Sequence, residues 1–241
     1  MATFVLVHGG GHGGWCYRFV AERLRHAGHA VHAPSLPGMG EHQHQLHPGI
    51  DLDSHIADVA GLLFHEDLRG AILVGHSYGG MVITGAADRA PERVGHRVYL
   101  DAAYLRDGES LHEHAFASID PTREGLYVEN GVELVMKPEP FYAGFFGIHD
   151  PALAQWTNER LTPQPWACFA QKLVLRSEAA MRAIPESHLI CTATIPGRDM
   201  ALLRERSHDR VWDIDTGHDL MITEPDWVAH KLIEIAAVGA V

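Results

Sequence analysis

Long apolar runs are missing from this chain: no hydrophobic stretch approaches the roughly 18 residues at which a membrane-spanning helix becomes the natural reading. The opening MATFVLVHGG carries no basic segment and only the short apolar run FVLV, too little for the hydrophobic region of a secretion signal. Neither a membrane nor an export route is expected, and a cytoplasmic location is. Positive charge is also in short supply. Lys and Arg number 19 against 31 Asp and Glu, a formal charge of −12. The clustered basic surface of a nucleic-acid binder is therefore not expected, and nothing would draw the chain to anionic lipid. Cysteine is scarce as well: Cys16, Cys168 and Cys191 are an odd set at scattered positions, which suits neither a disulfide framework nor a paired-cysteine zinc site. Linkers and low-complexity tracts are lacking, so one domain over residues 1–241 is expected. With 46% hydrophobic and 21% charged residues, that domain has enough apolar material for a full core. A small-molecule substrate is the partner this composition suits, and a homodimer is an assembly it allows.

What is present is a rhythm. TFVLV (3–7) is a short β-rich run that ends at His8-Gly9-Gly10-Gly11 and reads as a buried strand. Residues 15–27 place Trp15, Phe19, Val20, Leu24 and Ala27 at helical spacing before Gly28, a C-cap residue. HAVHAPSL (29–36) reads as a second strand. Asp51-Leu52-Asp53-Ser54 offers caps for a helix through Ile56, Val59, Leu62 and Leu63, and AILVG (71–75) is a third strand. A helix over 81–90 and a strand over 96–102 follow. This alternation implies an α/β fold: a mostly parallel sheet with right-handed crossovers and helices on both faces.

Between about 105 and 185 the rhythm breaks, with seven prolines and an aromatic crowd in FYAGFFG (141–147), Trp156, Trp166 and Phe169. An inserted helical cap is expected there, with the core formed by 1–104 and 186–241. A strand over 188–195, a helix over 200–207, a strand over 210–215 and a closing helix through Trp227, Leu232 and Ile235 complete the pattern. Open parallel sheets bind ligands at the carboxyl ends of their strands. The loops after 7, 36, 75, 101, 195 and 215 should share one mouth.

At that mouth, Gly75-His76-Ser77-Tyr78-Gly79 fits G-x-S-x-G between a strand and a helix. This is the context of a nucleophile elbow, a turn so sharp that small residues must flank the serine. Ser77 is the candidate nucleophile. A serine hydroxyl is weak at neutral pH and needs a base. Among 19 histidines, His218 stands out because it follows the last strand, in the chain order serine then histidine that this fold uses. The His42, His44 and His47 cluster has no carboxylate partner at helical spacing and is expected to be solvated rather than a metal site. An oxyanion needs donors: the N–H of Tyr78 is one candidate, and Gly10 in the glycine-rich loop HGGGHGGW (8–15) is the other. That loop lacks both dinucleotide and P-loop spacing, so no cofactor and no metal are expected.

FVLVHGGGHGGWCYR, GHSYGGMVITGAA, RVYLDAAYLRDGES, LTPQPWACF and TGHDLMITEP resemble the α/β-hydrolase branch that includes plant methylesterases, hydroxynitrile lyases and bacterial esterases. The resemblance covers nearly the whole chain. It implies a six-stranded parallel core, a helical cap, Ser77 as nucleophile, His218 as base, and oxyanion donors at Gly10 and Tyr78. Members of the branch usually carry an Asp just after the penultimate strand, where this chain has Thr194 in Cys191-Thr192-Ala193-Thr194. Three solutions remain open: Asp101 from the neighbouring strand end, Asp199, or a Ser–His dyad. The dyad is preferred. Asp101 stands ahead of Asp199, which follows Pro196 and leads into the next helix.

The leading expectation is a serine hydrolase of small apolar or aromatic carboxylic esters, or of carbamates or amides. A lyase of the resembling branch would carry Thr after the first loop histidine and Lys after the catalytic one. Here those places hold Gly9 and Asp219, which disfavours lyase chemistry. A small-molecule receptor with little turnover is a further alternative, and cofactor-free oxygenation a weaker one.

Overall fold

The computed structural model describes residues 1–140 and 142–238, with the side chains of 116–119 and 238 left aside. Phe141, one of the aromatics in FYAGFFG, and the last three residues of the expected domain lie outside the described residues. Six strands form the main sheet: β1 (Thr3–Val7), β2 (Ala30–His32), β3 (Ala71–His76), β4 (Val94–Leu100), β8 (Glu186–Cys191) and β9 (Val211–Ile214). Their order is β2-β1-β3-β4-β8-β9, and each neighbouring pair is parallel. A second, antiparallel sheet joins β5 (Tyr127–Glu129), β6 (Val132–Val135) and β7 (Gln164–Pro165).

Alternation along the strands fills both faces of the main sheet. Val5 and Val7 of β1 and Leu73 of β3 pack on one side with helices α2 (Leu52–His65) and α3 (Gly79–Arg89). Phe4 and Leu6 of β1 with Ile72 and Val74 of β3 pack on the other, against α1 (Arg18–His26) and the C-terminal helix over Pro225–Val238. A strand covered on both faces reads as a nearly continuous apolar run, and β3 is buried throughout, AILVG ahead of His76. Helix α2 starts at Asp51, whose side chain accepts from Ser54 N at 2.8 Å while Ser54 Oγ accepts from Asp51 N at 2.9 Å. This reciprocal cap stabilises the helix start by about 1 kcal/mol.

Between β4 and β8 the chain forms α4 (Leu111–His114), α5 (Phe116–Glu124), the β5–β6 hairpin, α6 (Tyr142–Phe145), α7 (Pro151–Asn158), β7, α8 (Trp166–Ala170) and α9 (Glu178–Arg182). An all-helical insert is expected from the sequence, and the small sheet differs from that. Its cause is local: Asn130 and Gly131 have φ of 50° and 77°, the positive values a tight hairpin turn demands, and Asn-Gly is the pair that supplies them. Two strands are also shorter than expected. The 29–36 strand ends at His32, and Leu36 N donates instead to His8 Nε2 at 3.0 Å. The 188–195 strand spans Glu186–Cys191 and passes into a 3₁₀ turn over Thr192–Gly197. Beyond it lie α10 (Met200–Ser207), α11 (Leu220–Thr223) and α12 (Pro225–Val238).

Candidate active site

Ser77 leaves β3 at φ 52° and α3 begins two residues later. A non-glycine residue held in the left-handed region stores strain that the surroundings must offset. Here glycines make the offset possible. A Cβ on Gly75 would lie 2.5 Å from the Gly79 carbonyl oxygen, and one on Gly79 would lie 2.6 Å from that of Val7. The turn is then tied down by Ser77 O, which accepts from Gly80 N at 3.0 Å and Ala103 N at 2.9 Å.

The loop after β1 lies directly on this turn. A Cβ at Gly9 would come within 2.8 Å of Ser77 Cβ and of His76 Nδ1, so the residue after His8 has room for no side chain. Gly10 lines the same cavity as Ser77. Its position is held from the cap side, where Gly11 N donates to Gln164 Oε1 at 3.2 Å and Thr162 N donates to Gly11 O at 2.8 Å. Among the described residues the N–H groups of Gly10 and Tyr78 have no hydrogen-bond acceptor. Tyr78 turns its hydroxyl the other way, donating to His55 Nδ1 at 2.9 Å, and His55 Nε2 donates to Pro37 O at 3.0 Å.

His218 follows β9 and meets a carboxylate. Its Nδ1 lies 2.5 Å from Asp101 Oδ2. Asp101 is fully buried at the end of β4 and takes φ 44°, a conformation Asp tolerates better than most residues. The two carboxylate oxygens divide their partners. Oδ2 faces His218 and Cys191 Sγ, the latter at 3.1 Å; Oδ1 accepts from Thr194 Oγ1 at 2.6 Å, Arg198 Nη2 at 2.8 Å and Cys191 N at 3.3 Å. Burial alone would raise the Asp101 pKa, but His218, Arg198 and Thr194 outweigh it and hold the carboxyl well below its ordinary range. Burial likewise works against a charged His218, and the bond and charge of Asp101 overcome it, raising the imidazole above its usual value.

The preference for a dyad without a carboxylate therefore differs from the structure, which gives His218 a carboxylate partner from β4. Thr194, at the place where the resembling branch carries its Asp, donates to that carboxylate. Asp199 is elsewhere: its side chain accepts from Leu202 N at 3.0 Å and caps α10. His42 Nδ1 donates to Ser35 O at 2.9 Å, His44 Nδ1 donates to Glu41 O at 3.0 Å, and His47 Nδ1 accepts from Gly49 N at 3.0 Å. Those three rings are spent on their own loop.

Sequence reasoning missed a second pair beneath the site. His12 Nε2 lies 2.9 Å from Asp219 Oδ2, both side chains buried, and His12 Nδ1 donates to Gly10 O at 2.7 Å. One ion pair thus joins the loop carrying Gly10 to the residue following His218. Burial opposes a charged Asp219, yet the His12 charge and hydrogen bond lower its pKa. His76, in the elbow itself, is driven down to about 3 by burial and by the neighbouring His218. Neutral at ordinary pH, it donates from Nε2 to the His218 carbonyl at 3.0 Å. No spacing rule links residues 12 and 219; only adjacency to His218 hinted at the latter.

Ser77, Asp101, Arg198 and His218 open onto a cavity of about 810 Å³ walled by Leu111, Met136, Phe145, Phe146 and Phe169. Among the described residues, His218 Nε2 has no hydrogen-bond partner. The cavity suits an apolar or aromatic ligand of moderate size.

A parallel sheet with a strained strand–turn–helix at its centre and an insert over its mouth is the architecture of α/β hydrolases. The model of the alpha/beta hydrolase family matches residues 4–231, and the chain belongs to that family. It is 36% identical over 248 residues to a carbendazim-hydrolysing esterase of Nocardioides sp., a match covering 99% of this chain and 100% of that one. It is 28% identical to salicylic acid-binding protein 2 of Nicotiana tabacum, covering 97% and 96% of the two chains. Among solved structures, an extracellular α/β-hydrolase from a Paenibacillus species superposes with a TM-score of 0.79 at 24% identity, covering 97% of this chain and 98% of that one; that likeness speaks to fold alone. The chain is a hydrolase of the esterase type.

Proposed function

We propose that the chain cleaves small apolar or aromatic carboxylic esters, and carbamates of similar size, through an acyl-enzyme on Ser77. The observation that carries this reading is the His218–Asp101 bond. It fixes the imidazole with Nδ1 toward the acid and leaves Nε2 for the cavity that Ser77 lines. A serine base must present a neutral nitrogen to the hydroxyl, and the orienting carboxylate then stabilises the imidazolium that forms. In the first half-reaction Nε2 takes the Ser77 proton as Oγ attacks the carbonyl carbon. The oxyanion collects charge facing the N–H groups of Gly10 and Tyr78. His218 returns the proton to the leaving alcohol or amine, and water repeats the sequence to release the acid.

The apolar cavity favours substrates with an aromatic or alkyl group, and the carbendazim-hydrolysing relative supports carbamates within that class. Gly9 weighs against a lyase, because a side chain at that position would collide with Ser77. The test is labelling by a fluorophosphonate probe together with turnover of p-nitrophenyl acetate, p-nitrophenyl benzoate and carbendazim. Labelling at Ser77 with turnover, both lost in a folded Ser77→Ala protein, is expected. Labelling without turnover of any ester or carbamate would favour a receptor instead.

A further inference from the structure

The carboxylate that meets His218 comes from β4 rather than from the loop after β8, and that loop supplies an arginine instead. Arg198 is held at three points: Nη2 to Asp101 Oδ1 at 2.8 Å, Nη1 to Ala102 O at 2.8 Å, and Nε to Thr194 Oγ1 at 3.1 Å. Its side chain is 17% exposed, and its ion pair is with Asp101. A guanidinium engaged on three sides is a fixture of the site rather than a mobile surface charge.

We propose that Arg198 is a positioning residue for the reaction: it locks the rotation of the Asp101 carboxylate and offsets its charge, so that His218 releases its proton at a lower pH than it would facing Asp101 alone. The inference rests on the Ser77–His218 reading above. An imidazolium facing a lone buried carboxylate is held very tightly, because the interaction is screened little by water. A base that keeps its proton cannot accept one from Ser77. A cation on the far oxygen of the same carboxylate weakens that hold, and it also points Oδ2 at Nδ1 by occupying Oδ1. Thr194 completes the lock with its hydroxyl on Oδ1 at 2.6 Å.

The other groups around His218 leave this task to Arg198. From β3, the ring of His76 lies 4.6 Å from that of His218 between centroids and is neutral. From β8, Cys191 donates its thiol to Asp101. Asp219, next in the chain, has its charge met by His12 from the loop after β1. From the cap, Phe146 brings an uncharged ring with its centroid 6.3 Å away. Among the described residues, Arg198 is the one permanent cation paired with Asp101.

The experiment follows the His218 imidazole by histidine NMR across pH in the resting protein, its resonance identified by loss in His218→Gln. Wild type is compared with Arg198→Met, Arg198→Gln and Arg198→Lys, each checked for fold by circular dichroism. Removing the charge in Met or Gln should raise the His218 titration by about one pH unit, and the acidic limb of kcat/KM should move up with it. Lys should return the titration toward wild type while kcat stays reduced, since an ammonium cannot reproduce the fork. A folded Met or Gln variant whose His218 titration is unchanged or lowered would overturn the proposal. The NMR titration needs no turnover, so a shifted imidazole in a protein that hydrolyses no ester would sink the esterase reading and leave this inference standing.

Discussion

Ser77 and Asp101 end neighbouring parallel strands in the same unusual conformation, at φ 52° and 44°. The two turns are stitched together: Ser77 N donates to Leu100 O at 3.3 Å, and Ala103 N donates to Ser77 O at 2.9 Å. Two turns that share hydrogen bonds cannot move independently. The carboxylate of Asp101 is thus delivered to His218 by the same strand ends that present the serine, which explains how the place after β8 could pass to Thr194.

The His218–Asp101 pair has a consequence for pH. Burial disfavours the charged imidazole, but the Asp101 bond and charge prevail and raise its pKa above 6.5. Only the neutral ring can act as base, so activity should rise with pH through a limb lying above 6.5. Asp101→Asn removes the raising charge and should lower that limb. The kcat/KM profile of the free enzyme reports it; a wild-type limb at or below 6.5 would speak against the pairing.

The His12–Asp219 pair should matter more for stability than its distance from bulk solvent suggests. In His12→Ala the Asp219 carboxylate would remain buried without its partner, and breaking such a pair costs about 3–5 kcal/mol. Urea unfolding at neutral pH should show that loss. Because the folded-state pKa of Asp219 is depressed, the pair's contribution is present above the ordinary value of 3.8 and fades as pH falls through the lower folded value. The gap between His12→Ala and wild type should therefore narrow in acid. A loss under about 1 kcal/mol at neutral pH would mean that Asp219 finds other support.

Gly9 is a tight steric point beside Ser77 from the facing loop. A methyl at this position would sit 2.8 Å from Ser77 Cβ, and overpacking of that kind forces the backbone to shift. Gly9→Ala should lose more than about tenfold in kcat, or 1.4 kcal/mol of barrier, with fluorophosphonate labelling slowed in parallel. Wild-type rates in this variant would show that the loop relaxes freely.

Much of this arrangement is visible in the one-dimensional pattern because the sheet makes it so. Continuous apolar runs such as AILVG mark strands covered on both faces, and G-x-S-x-G between such a run and a helix marks the turn at Ser77. Asp101 could be named as a candidate from its place at a strand end. As a partner for His218 it stands among three open solutions, and the pattern cannot select it, since 117 residues separate the two and the local motif points to position 194. The same holds for Arg198 and for His12 with Asp219, whose pairing exists only once the sheet has brought the strand ends together. The Asn130-Gly131 hairpin is different: its signal is local, and the proline-rich, aromatic context of the insert obscured it.

The most direct test of the proposed catalytic unit compares Asp101→Asn with Asp199→Asn on one p-nitrophenyl ester, with fold verified by circular dichroism. Asp101→Asn keeps the shape of the side chain but removes the charge that orients His218, and it should lower kcat by about 10³–10⁴-fold, the scale known for neutralising a triad acid. Asp199→Asn alters only the cap of α10 and should leave kcat within about tenfold of wild type. A folded Asp101→Asn enzyme that also stays within about tenfold would contradict the Ser77–His218–Asp101 account and return the protein to a serine–histidine dyad.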